Sequence, residues 1–343
     1  MNFRSDNEAP VAEPIMQAML AANHGFAESY GYDESSKLLN TRLSEVFEHW
    51  VEVIPLPTGT AANALAVAQT TPPYGAMYCH ENAHLNKDEC GAPEFFSAGA
   101  KLIDLPGKNG KLHAAHLHQA LSATGAHGEH ESLPAGMSLT QSTEAGTVYS
   151  LDEIQALTNV AKQPQWNLAC HMDGSRFANA LVHLGCTPAE MTWKSGIDLL
   201  SLGATKNGAM LAEALVIFNP RYAVEIKRRR KRAGHLVSKM RFISAQLLAW
   251  LDNDLWLRLA EHANTLAADF YHSMRDAVEF LYPVQANEAF VRLPETTIVH
   301  LQQAGFAFHV WPGSTDVVRL VFSHATDPAD CQRLMTSIRE SLV

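Results

Sequence analysis

Short apolar runs alternate with amphipathic stretches along the middle of the chain, between about residue 50 and residue 220. Each apolar run is bounded by turn-forming residues and predicts a buried strand. The stretches between the runs carry apolar residues at helical spacing and predict helices. Strands that alternate with helices are typical of a largely parallel sheet that is covered by helices on both faces. We therefore predict an α/β fold with a large domain over residues 16–240.

The pattern changes after residue 240. An amphipathic stretch over residues 242–274 predicts a long helical region, and short strand patterns follow from residue 280 onward. Asp327 and Pro328 predict the cap and the first turn of a last helix. We interpret residues 241–343 as a smaller α+β C-terminal domain and the polar residues 1–15 as an extended N-terminal segment.

The overall composition argues against several classes of protein. Of the 343 residues, 47% are hydrophobic and 18% are charged, which is ordinary for a globular chain. The net charge of −10 argues against nucleic-acid binding, and we interpret the one basic run, residues 227–232, as a solvated helix face. No uncharged apolar run is long enough for a membrane span, so we expect no membrane partner. Five cysteines without a Cys-x-x-Cys spacing indicate free thiols, which predicts a cytoplasmic protein.

Two strand ends carry the most specific chemistry. The apolar run at residues 167–172 ends on Asp173, and the run at residues 197–203 leads to Lys206. The two residues are 33 positions apart, roughly one strand-helix-strand unit, so neighbouring strand ends bring both into one crevice. Pyridoxal phosphate requires such a pair: a lysine that binds it covalently and a carboxylate that keeps its ring nitrogen protonated. On spacing alone, two solvated surface groups are the alternative.

Two further patterns are compatible with a ligand site. The segment Thr58-Gly59-Thr60 stands between a predicted strand and an alanine-rich helix, which is the geometry of an anion site, although a plain N-capped helix is the more ordinary explanation. His80 and His84 are four residues apart, but without a third ligand they make a poor zinc site, and we predict no metal. Five histidines lie within residues 113–131, a stretch that we interpret mostly as a solvated loop.

Six short motifs occur in one order along the chain. They are FRSDN at residues 3–7, TGTAAN at 58–63, AH at 83–84, QSTEAGTVY at 141–149, HMDGSR at 171–176 and TKNG at 205–208. Together they resemble the L-threonine aldolase family of fold-type I pyridoxal phosphate enzymes over nearly the whole chain. Thr58 and Ser175 depart from the residues that are usual there, and both changes are small.

The resemblance implies pyridoxal 5'-phosphate as the cofactor and a retro-aldol reaction. The substrates would be L-threonine, L-allo-threonine and related β-hydroxy-α-amino acids such as phenylserine, which are cleaved to glycine and an aldehyde. Another fold-type I lyase or a transaminase is the alternative, because the sequence shows poorly which bond is broken. From a different class, a nucleic-acid or metal-binding module disagrees with the charge balance.

The resemblance also implies roles for residues at the cofactor. Lys206 would bind the cofactor covalently and Asp173 would pair with its ring nitrogen. Gly59 and Thr60 would hold its phosphate, and His84 would stack on its ring.

On the substrate side, the resemblance implies that Ser5, Arg176 and Arg319 hold the carboxylate, with Arg176 also near the cofactor's phenolate oxygen. His84 and His130 are the candidate bases for the hydroxyl proton, directly or through water. The preference for threo or erythro substrates and the natural aldehyde stay open.

The same family commonly completes its crevice with a neighbouring subunit, which implies a homodimer or a homotetramer. Tyr30 and one of Arg229 and Arg230 would then reach the partner's site. A solvated helix is the alternative for the two arginines.

Overall fold

The alternating pattern in the middle of the chain folds into a seven-stranded sheet in a computed structural model that describes residues 1–342. Its strands are β1 Glu52–Leu56, β2 Gly75–His80, β3 Lys101–Leu105, β4 Leu133–Thr140, β5 Ala169–Gly174, β6 Leu199–Gly203 and β7 Glu213–Ile217. They lie in the order β1-β7-β6-β5-β4-β2-β3. Strands β2 to β6 are parallel, and β7 runs antiparallel to both of its neighbours. The predicted α/β fold with a mostly parallel sheet is therefore confirmed.

The helices cover both faces of this sheet and extend into the C-terminal part. They are α1 Glu13–Ala22, α2 Glu34–Val46, α3 Gly59–Thr70, α4 His84–Lys87, α5 Ala92–Phe96, α6 Ala114–Ser122, α7 Leu151–Ala161, α8 Phe177–Leu184, α9 Pro188–Met191, α10 Ile226–Arg232, α11 Arg241–Leu251, α12 Leu255–Met274, α13 Glu295–Gln303 and α14 Pro328–Ser341. None of the helices within residues 1–342 is both long and apolar enough to cross a bilayer.

Strands β1, β5, β6 and β7 of the large sheet contribute to two apolar cores, one on either face. Val53 and Leu200 pack into the larger core, whereas Ile54 and Leu199 pack against α3 on the other face. This follows from the strand geometry, because successive side chains of a strand point to opposite faces. Ala169 of β5 also packs on the α3 face, so Asp173, four residues later on the same strand, is directed toward α3.

A second, antiparallel sheet forms the small domain. Its strands are β8 Glu279–Phe280, β9 Glu288–Arg292, β10 His309–Val310 and β11 Val317–Val321, in the order β10-β11-β9-β8. The N-terminal segment is tied to this domain, because Phe3 is buried there with its ring 5.5 Å from the ring of Phe322. The start of the chain is thereby held beside the C-terminal domain.

The long helix α12 connects the larger core of the large sheet to the core of the small domain. Ala260 belongs to the core of the large sheet, and Leu266 belongs to the core of the small domain. Helix α11 also packs with the large core, and the domain boundary at residue 240 stays a prediction. The predicted helical stretch 242–274 is interrupted between α11 and α12, where Asn253 and Asp254 have positive φ.

One local prediction is wrong. The histidine-rich stretch that we interpreted as a loop contains helix α6, which buries Leu117 and Leu121. His113 caps this helix, because its Nδ1 accepts a hydrogen bond from the amide of Ala115 at 3.3 Å. Apolar residues four positions apart were the available signal.

Candidate active site

The carboxyl ends of β5 and β6 open into a cavity of about 270 Å³. Asp173 is close to the end of β5, and Lys206 follows β6 in the short helical turn Thr205–Asn207. Because the two strands are neighbours and parallel, both side chains line this cavity. Three more residues predicted for the cofactor line it as well: Gly59, Thr60 and His84.

The carboxylate of Asp173 is buried and held by hydrogen bonds alone. Its Oδ2 accepts from Asn63 Nδ2 at 2.8 Å and its Oδ1 from the amide of Ser175 at 3.1 Å. Within residues 1–342 no lysine or arginine forms an ion pair with it. A buried carboxylate without a cation is costly, so this position fits a ligand that presents a protonated nitrogen, as the pyridine ring of pyridoxal phosphate does.

The amino end of α3 forms another wall of the cavity. The hydroxyl of Thr58 accepts a hydrogen bond from the amide of Ala61 at 3.1 Å, and this caps the helix. In the part of the chain that the structure describes, no acceptor engages the amides of Gly59 and Thr60, and a Cβ added at Gly59 would meet no atom within 4 Å. Two free amides at a helix N-terminus suit a phosphate group.

A buried network links the acid to the histidine. Asn63 Nδ2 donates to Asp173 and also to Glu89 Oε1 at 2.9 Å, and the same Glu89 oxygen lies 2.9 Å from His84 Nδ1. The hydrogen bond to Glu89 raises the pKa of His84, although burial opposes the rise. Sequence reasoning missed Asn63 and Glu89. Only the motif at residues 58–63 pointed to Asn63, and no periodicity pointed to Glu89.

A second cavity, of about 510 Å³, adjoins the first and shares His84 and Lys206 with it. The residues predicted for the substrate carboxylate line this larger space: Ser5, Arg176 and Arg319. Lys206 follows β6 of the large sheet and Arg319 belongs to β11 of the small sheet, so residues of both domains line the second cavity.

The two arginines of the second cavity differ in what already binds them. Arg176 is buried, with its Nε and Nη2 donating to Asp6 at 2.8 and 3.1 Å and its Nη1 3.1 Å from Glu288 without hydrogen-bond alignment. Arg319 lies 3.8 Å from Glu288, and its buried Nε has no acceptor among residues 1–342. Because Asp6 occupies the planar edge of Arg176, Arg319 is the better candidate for a substrate carboxylate.

His130 does not join the site. It lies in an exposed turn just before β4, at the amino end of the sheet, whereas Asp173 pairs with Thr140 at the far end of the same strand. Eight residues of extended strand separate the two ends by roughly 25 Å. The structure therefore contradicts the prediction of His130 as a base for a site within one chain. The sequence showed its order along the chain but not the strand end at which it lies.

The residues predicted to act across subunits lie outside both cavities. Tyr30 is exposed, with Lys231 Nζ 5.1 Å from its ring centre. Arg229 is exposed on α10, while Arg230 is buried and donates to the carbonyl of Pro55 at 3.3 Å. Burial lowers the pKa of Arg230. A role in a partner's site stays a prediction for all three.

The fold and the cavity together define a class of protein. The chain superposes on an aspartate aminotransferase from Rhodobacter sphaeroides with a TM-score of 0.71, over 99% of this chain and 93% of the other, at 17% identity. At that identity the likeness shows the fold alone, which is that of the fold-type I pyridoxal phosphate enzymes.

Other comparisons show the family. A family model described as beta-eliminating lyase matches residues 2–295. A low specificity L-threonine aldolase from Pseudomonas sp. (strain NCIMB 10558) is 40% identical over 339 residues, which cover 98% of this chain and 96% of the relative. A threonine aldolase from Leishmania major has a TM-score of 0.93 and 26% identity, over 100% of this chain and 99% of the other. The chain belongs to the beta-eliminating lyase family and, within it, to the L-threonine aldolases, which confirms the resemblance of its motifs.

Proposed function

We propose that this protein cleaves L-threonine, L-allo-threonine and related β-hydroxy-α-amino acids such as phenylserine to glycine and an aldehyde, with pyridoxal 5'-phosphate as cofactor. The observation that carries the proposal is the first cavity, where Asp173 and Lys206 lie together with the free amides of Gly59 and Thr60. The relatives that match along nearly the whole chain are named threonine aldolases, so the alternative of another lyase or a transaminase is not favoured.

The residues of the first cavity would hold the cofactor. In this proposal Lys206 binds it covalently, Asp173 pairs with its ring nitrogen, Gly59 and Thr60 bind its phosphate, and His84 lies against its ring. When bound, pyridoxal phosphate supplies an electron-withdrawing ring that stabilises the charge left on Cα when the bond to Cβ breaks. The network from Asn63 supports this assignment, because it holds the acid and the histidine in fixed positions.

The residues of the second cavity would hold the amino acid. Arg319 and Ser5 would bind its carboxylate, with Arg319 offering a guanidinium whose hydrogen-bond partner among residues 1–342 is the Arg4 carbonyl, and Ser5 a hydroxyl. Arg176 would act mainly by fixing Asp6 and therefore the N-terminal segment that carries Ser5. His84 is the histidine that both cavities share, which supports a role beside the reacting bond.

A substitution of Lys206 tests the proposal. Lys206→Ala should abolish aldehyde release and the absorbance of protein-bound cofactor together, because one amine serves both. Aldehyde release would be measured with L-threonine, L-allo-threonine and phenylserine separately, and keto-acid formation would be assayed in parallel. Lys239→Ala, which removes an exposed lysine, is the matched control. Normal turnover by Lys206→Ala would contradict the assignment, and keto acid without aldehyde would replace it with a transaminase.

We also propose a homodimer or homotetramer and a cytoplasmic location. The exposed positions of Tyr30 and Arg229, outside the first and second cavities of their own chain, are compatible with contact to a second copy. The five cysteines are unpaired, as expected in a reducing compartment. Light scattering of the purified protein would measure the subunit count, and a monomer would contradict the oligomer.

A further inference from the structure

A tight turn directs a carboxylate into the second cavity. The amide of Gly146 donates to the carbonyl of Thr143 at 2.9 Å, and the Thr143 hydroxyl accepts from the amides of Ala145 and Thr147 at 3.2 Å each. Gly146 has a φ of +72°, and a Cβ there would lie 3.0 Å from Glu288 Cβ, so the turn depends on glycine. Glu144 is the second residue of this turn and lines the second cavity.

The carboxylate of Glu144 has no partner of its own. No hydrogen bond or ion pair engages it within residues 1–342, and it shares the cavity with Lys206, His84 and Arg319. Burial raises the pKa of Glu144, and Asp173 adds to the rise, whereas the positive charges of Lys206, His84 and Arg176 oppose it. A carboxylate that is partly desolvated and unpaired is a stronger proton acceptor than one in water.

His84 is poorly suited to accept a proton in this cavity. Its Nδ1 is bound to Glu89, and that hydrogen bond raises the pKa of the ring, which favours the imidazolium form. Both nitrogens of an imidazolium are donors. The other acceptors of this cavity, Asp88 and His309, are exposed at its rim. Apart from Lys206, which the proposed function assigns to the cofactor, Glu144 is therefore the inner group of the cavity that is free to take a proton.

We propose that Glu144 is a catalytic residue that accepts the β-hydroxyl proton of the substrate, with His84 as a hydrogen-bond donor beside it. This inference rests on the proposed function. As the O–H bond breaks, its proton passes to a Glu144 oxygen and its electron pair forms the aldehyde C=O bond. The Cα–Cβ bond breaks at the same time and leaves its electron pair on Cα. A proton then joins Cα to give glycine, and Glu144 returns its proton to solvent, so one proton is taken up and one is released.

Glu144→Gln distinguishes the acceptance of the hydroxyl proton from cofactor binding and from proton exchange at Cα. The amide keeps the size of the side chain but cannot accept the proton, so kcat for aldehyde release should fall by about 100-fold or more. Two readouts should not change: the absorbance of bound cofactor, and the exchange of the Cα protons of glycine with deuterated solvent, followed by NMR. Glycine has no hydroxyl, so its exchange does not need this base. Glu261→Gln, the same change at an exposed position of α12, is the matched control.

The outcomes distinguish a failure of the proposed function from a failure of the role of Glu144. If the unmodified protein releases no aldehyde from any of the three substrates, the proposed function fails and this inference fails with it. If the unmodified protein is active and Glu144→Gln retains its kcat, this inference alone is overturned. If Glu144→Gln loses both glycine exchange and kcat for aldehyde release, this inference is also overturned, because Glu144 would then be needed for the structure of the whole site. If the amide variant does not fold, Glu144→Asp takes its place, and full activity with the shorter acid would count against the role.

Discussion

A second carboxylate near Lys206 makes a measurable prediction about stability. Glu213 lies at the start of β7, opposite Gly203, and lines the first cavity. Its Oε1 accepts a hydrogen bond from the amide of Thr205 at 3.3 Å, and the residue is buried. Burial raises the pKa of Glu213 from 4.5 to about 7, although the Thr205 hydrogen bonds and the charge of Lys206 oppose the rise.

The raised pKa means that the folded protein binds this proton more tightly than the unfolded chain. Below pH 4.5 Glu213 is neutral in both the folded and the unfolded state, so its burial does not lower the free energy of unfolding through a charge. Between pH 4.5 and pH 7 the unfolded chain ionises first, so stability falls as the pH rises, and above pH 7 the full cost has been reached. A shift of this size corresponds to about 3 kcal/mol, at about 1.4 kcal/mol for each pKa unit.

Glu213→Gln removes the charge while it keeps an oxygen that can accept from the Thr205 amide. In protein stripped of cofactor, we expect the variant to exceed the unmodified protein in unfolding free energy by about 3 kcal/mol at pH 8, and to match it near pH 4.5. Urea unfolding followed by tryptophan fluorescence across this pH range is the assay. Glu261→Gln should show no such pH-dependent gain. A difference between Glu213→Gln and the unmodified protein that does not change with pH would refute the reasoning.

Two further predictions concern hydrogen bonds of this structure. Glu89→Gln should lower the pKa of His84, because an amide cannot replace the charge-assisted hydrogen bond at 2.9 Å; NMR titration of the ring measures it, and an unchanged titration would count against the network. Ser150→Ala should destabilise the protein by about 1 kcal/mol, because the capping box with Glu153 loses its hydroxyl; thermal unfolding measures it, and an unchanged melting temperature would show that the cap contributes nothing.

Local signals predicted the elements well because they act over a few residues. The box of Ser150 and Glu153 caps α7, and Asp327 caps α14 with Pro328 in the first turn, as expected. The apolar runs before Asp173 and Lys206 both form strands of the parallel sheet. The pairing of the acid with the lysine followed as well, because neighbouring parallel strands end at the same edge.

The contacts among distant residues had no local signal. Asp6 and Arg176 are 170 positions apart, yet their ion pair occupies an arginine that the sequence assigned to the substrate. His130 is close in sequence to the motif at residues 141–149, but strand β4 lies between them and places His130 at the opposite end of the sheet. Asn63 and Asp173 are 110 positions apart, and only the packing of α3 against the end of β5 brings them into a hydrogen bond.

The amino-acid sequence by itself determined most of the strands and helices, the fold class, the family and the placement of Asp173 and Lys206 in one cavity. Each of these depends on periodicity, on capping or on short motifs. The tertiary structure alone decided which charges are already paired and which face the cavities unpaired, and so it separated Arg319 from Arg176 and revealed Glu144 and Glu213. The reason is physical: the state of a charged group depends on burial and on neighbours that folding brings together from anywhere in the chain.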